Sequence, residues 1–174
     1  MKHFIRYAGL LVLFCLLQTL IFERIQLGPY LSPCIYVLFI LLFPLGYNTL
    51  WLLLWSFAMG LSIDLFSAGA IGFHASAATC LAFLRSGILN MVTTKGDVAQ
   101  QAIPGVRSLG APWYLMYVVI SLLVHHTVLF AWENFHFSYL HLTMLRIFCS
   151  TFLNTMLIVL IQVTFFNRKH EFDA

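Results

Sequence analysis

Long apolar runs broken by short turn-forming stretches set the rhythm of this chain, and the runs approach the length of a bilayer crossing. A helix needs roughly 17–25 apolar residues to span the hydrocarbon core, and only helices or closed barrels satisfy their backbone there. Continuous runs, rather than ten-residue stretches of alternation, predict helices instead of barrel strands. Six spans are predicted, at about Tyr7–Phe22, Leu31–Leu45, Tyr47–Phe66, Ala68–Met91, Trp113–Phe135 and Thr143–Phe166. The first two are short enough to be little tilted or partly re-entrant. Gly28-Pro29 and Pro33 break the chain after the first span, and Pro44-Leu45-Gly46-Tyr47-Asn48 turns it between the second and third. One stretch stays polar for long, residues 93–112, and it is read either as a flexible tether or as a functional loop. No internal repeat and no separate soluble domain is evident.

Composition removes the soluble alternative. Of the residues 61% are hydrophobic and 9% charged, with a mean hydropathy of +0.93, against roughly 45–50% apolar and about 25% charged in soluble domains. Too few charges remain to cover a soluble surface. No small-x-small cleavage site follows the first run, which continues into Gln18-Thr19-Leu20-Ile21-Phe22-Glu23-Arg24, so it is read as a retained anchor rather than a signal sequence.

Charge sets the expected orientation, because cytoplasmic loops collect Lys and Arg. Six spans with an inner N-terminus place Lys2, Arg6, Arg85, Lys95, Arg107, Arg168 and Lys169 inside and only Arg24 and Arg146 outside, seven of nine against two. Omitting the second span reduces the best asymmetry to six against three. Both termini, the 93–112 loop and the 167–174 tail are therefore expected in the cytoplasm, with Trp51, Trp55, Trp113 and Trp132 as interfacial anchors.

Polar residues inside spans need a reason, since a central Asp costs roughly 2.5–3.5 kcal/mol on insertion scales. Asp64 stands in Gly60-Leu61-Ser62-Ile63-Asp64-Leu65-Phe66-Ser67, where the third span meets the fourth. Gly60 lies one helical turn earlier on the same face and allows a neighbouring backbone close to the carboxylate. Two readings stand for Asp64: a functional intramembrane carboxylate, or a hydrated interfacial residue that stops one helix and caps the next. Arg85 is too near the opposite face to partner it. In the fifth span His126 and Glu133 share a face, but two adjacent histidines diverge and no third ligand has helical spacing to them, so a metal site is not expected. Asn154 and Gln162 in the sixth span are expected to hydrogen-bond another helix. Cys15, Cys34, Cys80 and Cys149 show no paired spacing and are read as packing residues. Span four is rich in Ala, Gly and Ser and is expected to be the most enclosed helix, by the close packing that joins membrane helices. No phosphate-binding glycine loop, nucleophile elbow or zinc-protease motif is present, and catalysis through His125, His126 and Glu133 lacks a complete constellation.

The order of these features closely resembles the bacterial rod shape-determining MreD family. The likeness rests on Gly60-Leu61-Ser62-Ile63-Asp64-Leu65-Phe66-Ser67 followed by Ala70-Ile71-Gly72-Phe73-His74-Ala75, a Pro33-led second span, Phe130-Ala131-Trp132-Glu133, and Asn154 before a basic tail. It extends over most of the chain, although the Lys95–Arg107 loop is longer than in the family. The resemblance implies an all-α inner-membrane protein of six helices, similar in fold to the substrate-binding subunits of energy-coupling vitamin transporters. It implies a non-enzymatic scaffold in lateral-wall peptidoglycan synthesis, working with MreC, MreB filaments, the glycosyltransferase RodA and its transpeptidase, with no cofactor and no nucleic acid. Gly60, Asp64 and Gly72 are carried over as motif positions, and His74, Glu133 and Asn154 join them as candidate structural or partner contacts. Membrane lipid is a further expected contact, and a homodimer through small-residue faces stays open. The alternative is a substrate-binding transporter subunit, whose outward pocket would be lined by Asp64, Glu133 and the outer ends of spans one, three and five.

Overall fold

A computed structural model describes residues 2–25, 27–67, 70–92, 103–106, 110–134 and 140–166. Most of the 93–112 loop and all of the 167–174 tail lie outside the described residues, and with them Lys95, Arg107, Arg168 and Lys169 from the charge count. The described residues form helices and connecting turns, with no strand among them. Helix α1 covers Lys2–Leu17 and continues as a π-helical turn, Gln18–Phe22. It is followed by a short α2 at Val37–Leu41, then α3 at Thr49–Phe66 and α4 at Phe73–Val92. Helix α5 covers Ala111–Glu133, and α6 covers Leu140–Ile161 with a π-helical turn at Gln162–Phe166.

Five of these segments are long and apolar enough to cross a membrane: Phe4–Phe22, Thr49–Phe66, Phe73–Val92, Ala111–Glu133 and Leu140–Thr164. Each buries one face and turns large apolar side chains such as Leu50, Phe83, Phe152 and Leu160 outward, as expected of helices solvated by lipid rather than water. In sequence order α3 packs on α4, α4 on α5 and α5 on α6, while α1 lies against α3.

The expected second span takes a different form. Within Leu31–Leu45 only Val37–Leu41 is helical, so the segment is not a membrane-length helix. It threads the middle of the bundle: Cys34 through Leu41, and Phe43, are each no more than 2% exposed. Among the described residues this thread is the most enclosed stretch, and among the membrane-length helices α4, expected to be the most enclosed, shares the largest buried face with α5. Ser32 at one end accepts a hydrogen bond from Arg146 near the start of α6. Phe43 at the other stacks on Tyr7 near the start of α1 and accepts from Arg85 near the end of α4. The thread thus links the two ends of the bundle, called below the Asp64 end and the Arg85 end.

Non-helical backbone at such depth is tolerated only where protein supplies its hydrogen bonds. Two amide side chains do so. Gln18 donates to the Pro33 carbonyl at 2.8 Å and accepts from the Ile35 N–H at 2.9 Å. Asn154 accepts from the Cys34 N–H at 2.7 Å and donates to the Ser32 carbonyl at 2.8 Å. Ser150 accepts from the Ser32 N–H and donates to the Tyr30 carbonyl. Pro33 has no N–H to satisfy. Asn154 therefore serves the non-helical backbone of the thread and also another helix, its amide nitrogen lying 3.3 Å from His126 of α5.

The Arg85 end is tied differently. Arg85 is buried, donating through Nε to the Tyr117 hydroxyl at 2.7 Å and through its terminal nitrogens to the Phe43 and Pro44 carbonyls. Tyr7 stacks on Phe43 beside it, and Tyr47 meets both rings edge-on.

Candidate functional site

At the Asp64 end the sequence candidates gather around one corner. Asp64 is 2% exposed and accepts three backbone hydrogen bonds from the next helix, from Gly72 at 2.9 Å, His74 at 2.9 Å and Ala75 at 3.0 Å. The first N–H groups of a helix have no partner within it, and a carboxylate there also meets the positive end of the helix dipole. Asp64 thus caps α4 from the end of α3, as one of the two readings held, but it is buried rather than hydrated.

Two glycines make this corner fit. A Cβ on Gly60 would lie 2.5 Å from the Ala75 Cα and from the His74 carbonyl oxygen, so only glycine lets the α4 backbone settle there. Gly72 has space around it, but its φ of +104° is one that L side chains rarely adopt. Its N–H reaches Asp64 only through that turn.

From this corner a line of polar side chains crosses the buried middle of the bundle. The Tyr36 hydroxyl lies 2.9 Å from His74 Nδ1 and 2.6 Å from His125 Nε2. His125 meets His126 edge to face. His126 in turn lies 3.2 Å from the Thr151 hydroxyl and 3.3 Å from the Asn154 amide nitrogen. Both histidines are fully buried. Among the described residues no group of three or more His, Cys, Asp or Glu side chains is arranged to hold a metal ion.

Beside the line opens a cavity of about 340 Å³. Its polar wall includes Gln18, Glu23, Ser32, Ser67, His74, Glu133 and Arg146, and its apolar wall includes Phe22, Leu129 and Phe130. Arg146 pairs with Glu133, donates to the Ser32 hydroxyl at 3.1 Å and lies over the Phe130 ring, 4.2 Å from its centre. Glu23 is exposed at the rim, and the packing around its carboxyl raises its pKa from the ordinary carboxylate value.

The structure brings Gly60, Asp64, Gly72 and His74 into one corner, joins His74 and Glu133 as walls of the cavity, and sets Asn154 behind the thread. Asp64 is not a cavity wall, because its oxygens are taken by backbone. Sequence reasoning missed Gln18, Tyr36 and the pairing of Arg146 with Glu133. Gln18 carried a signal: an amide in an apolar span needs a partner. Arg146 carried the same signal, a charge near the start of the predicted sixth span, whereas Tyr36 carried none, since its partners lie 38 and 89 positions away.

Comparison of the chain with family models, with curated proteins and with solved structures finds no match.

Proposed function

We propose that this protein is a non-enzymatic scaffold of the bacterial cell-elongation machinery, holding an MreC-like protein and the wall-synthesis enzymes together in the inner membrane. The observation that carries the reading is the Gly60–Asp64–Gly72–His74 corner. The stretch responsible for the resemblance to MreD is the stretch that locks α3 to α4, with Asp64 accepting from three backbone N–H groups. A carboxylate so engaged suits fixed geometry rather than chemistry on a substrate. In this reading the chain crosses six times, five as long helices and once as the buried thread, with both termini cytoplasmic. The run of the thread between the two ends supports the count, and the seven-to-two division of Lys and Arg supports the orientation.

The test is mild-detergent affinity purification of the tagged chain from its own host, with co-purifying proteins identified by mass spectrometry. Recovery of an MreC-like protein with a RodA-like glycosyltransferase and its transpeptidase is expected, and Asp64→Leu at matched expression is expected to reduce it and to disturb rod shape. A second reading, a substrate-binding transporter subunit, is favoured by the cavity at the Asp64 end. Recovery of ATPase subunits with a membrane coupling protein decides for that reading.

A further inference from the structure

The buried line beside the cavity has a direction that its geometry fixes. Tyr36 lies between two imidazoles, 2.9 Å from His74 Nδ1 and 2.6 Å from His125 Nε2. A phenol has one proton to give, so it donates to one ring and accepts from the other. Among the described residues no carboxylate hydrogen-bonds either ring, and an unpaired buried charge is costly, so both rings are neutral. A neutral ring carries one proton, on the nitrogen that its partners select. Two arrangements satisfy Tyr36. In the first, His74 donates from Nδ1 to Tyr36, Tyr36 donates to His125 Nε2, and His125 keeps its proton on Nδ1. In the second, His125 donates from Nε2 to Tyr36, Tyr36 donates to His74 Nδ1, and His74 keeps its proton on Nε2. His125 Nδ1 decides between them. It is sealed from solvent and has no hydrogen-bond partner among the described residues. The first arrangement strands an N–H there, whereas the second leaves only a lone pair, and a buried donor is the rarer group to go unmatched. The second is therefore favoured.

His126 is set the other way. Asn154 accepts from the Cys34 N–H through Oδ1, which leaves its amide nitrogen 3.3 Å from His126 Nε2. Two donors cannot face each other, so that ring nitrogen is bare and the proton sits on Nδ1, 3.2 Å from the Thr151 hydroxyl. Adjacent histidines thus hold opposite tautomers, and only an edge-to-face ring contact joins them. We infer that Tyr36 is a positioning residue that locks His74, a wall of the cavity, as a neutral imidazole protonated on Nε2, with donors running outward from His125. The one lone pair of the His74 ring is taken up by Tyr36, so the ring offers none to a proton or metal ion arriving from the cavity. The line is split into two networks, one that quiets His74 and one, through His126 and Asn154, that serves the thread. This inference stands independently of the scaffold proposal.

Solid-state nitrogen NMR of the full-length protein, isotope-labelled at histidine and held in lipid bilayers near neutral pH, reads which ring nitrogen carries each proton. Signals of the three rings are assigned by their loss in His74→Gln, His125→Gln and His126→Gln. The unaltered protein is expected to show His74 and His125 protonated on Nε2 and His126 on Nδ1. Tyr36→Phe, which removes the hydroxyl and keeps the ring, is expected to raise the minor Nδ1–H form of His74 about fivefold. The same variant is expected to leave the His126 signal unchanged, which reports an intact bundle. A proton on Nδ1 of His74 or His125 in the unaltered protein, a doubly protonated His74, or matching tautomers at His125 and His126 overturns the inference. So does a Tyr36→Phe protein with the His126 signal intact and the His74 tautomers unmoved. The spectrum of the unaltered protein decides the matter even where that variant does not fold.

Discussion

Single atoms set the corner between α3 and α4. Adding one methyl group at Gly60 places carbon 2.5 Å from backbone that has nowhere flexible to go. Gly60→Ala is expected to cost about 1–3 kcal/mol as the helices are pushed apart, read as a lowered Tm in detergent. Removing the Asp64 carboxylate strands three N–H groups at once. Asp64→Ala is expected to cost about 3–5 kcal/mol, and Asp64→Asn, which keeps one acceptor oxygen, clearly less. The ordering is checked by unfolding both variants under the same conditions. Glu23 gives the molecule a pH dependence of known sign. Its folded pKa is raised, so the folded state holds its proton more tightly than the unfolded chain does. Stability from this group is present below the ordinary carboxylate pKa and is lost as pH rises through the raised one. Titration of Tm between these limits is expected to slope downward, and Glu23→Gln to flatten it.

Elements were legible in proportion to how much lipid they touch. The α3, α4, α5 and α6 spans end within a few residues of their predicted bounds, because an apolar run facing lipid has only the helix available to it. The thread defeated the same logic. Leu31–Leu45 is apolar enough to suggest a span, yet being enclosed it was free to leave the helix wherever other side chains took over its hydrogen bonds. Those side chains, Gln18 and Asn154, lie on α1 and α6, and no spacing rule connects them to Ser32-Pro33-Cys34-Ile35. The Gly60–Asp64 face was readable because both residues sit on one helix; the cavity was not, because its walls come from α1, the thread, α3, α4, α5 and α6. The thread's dependence on Asn154 is testable at this scale. Asn154→Leu is expected to cost about 1–2 kcal/mol. It is also expected to open buried Cys34 to maleimide labelling while leaving the reactivity of Cys80 on α4 unchanged.

At the scale of the whole molecule, the two ends are held by opposite means. The Arg85 end gathers carbonyls around a buried cation, and the Asp64 end gathers N–H groups around a buried anion. The six-crossing proposal makes a direct prediction about sidedness. Single cysteines introduced at Asn48 and Asn90, both exposed near the Arg85 end, are expected to label from one side of the membrane. A cysteine at exposed Ile71, beside the Asp64 corner, is expected to label only from the other.

The thread also bears on biogenesis. Its polar backbone finds a partner in Gln18 almost as soon as it is made, but its bonds to Ser150 and Asn154 join residues 118 to 122 positions apart. Until α6 has been synthesised and inserted, this stretch has no complete shelter in hydrocarbon and must wait in the translocon or at the aqueous interface. Closure of the bundle around the thread is thus expected to await α6, and a nascent chain stalled before α6 would lack the partners that Ser150 and Asn154 supply.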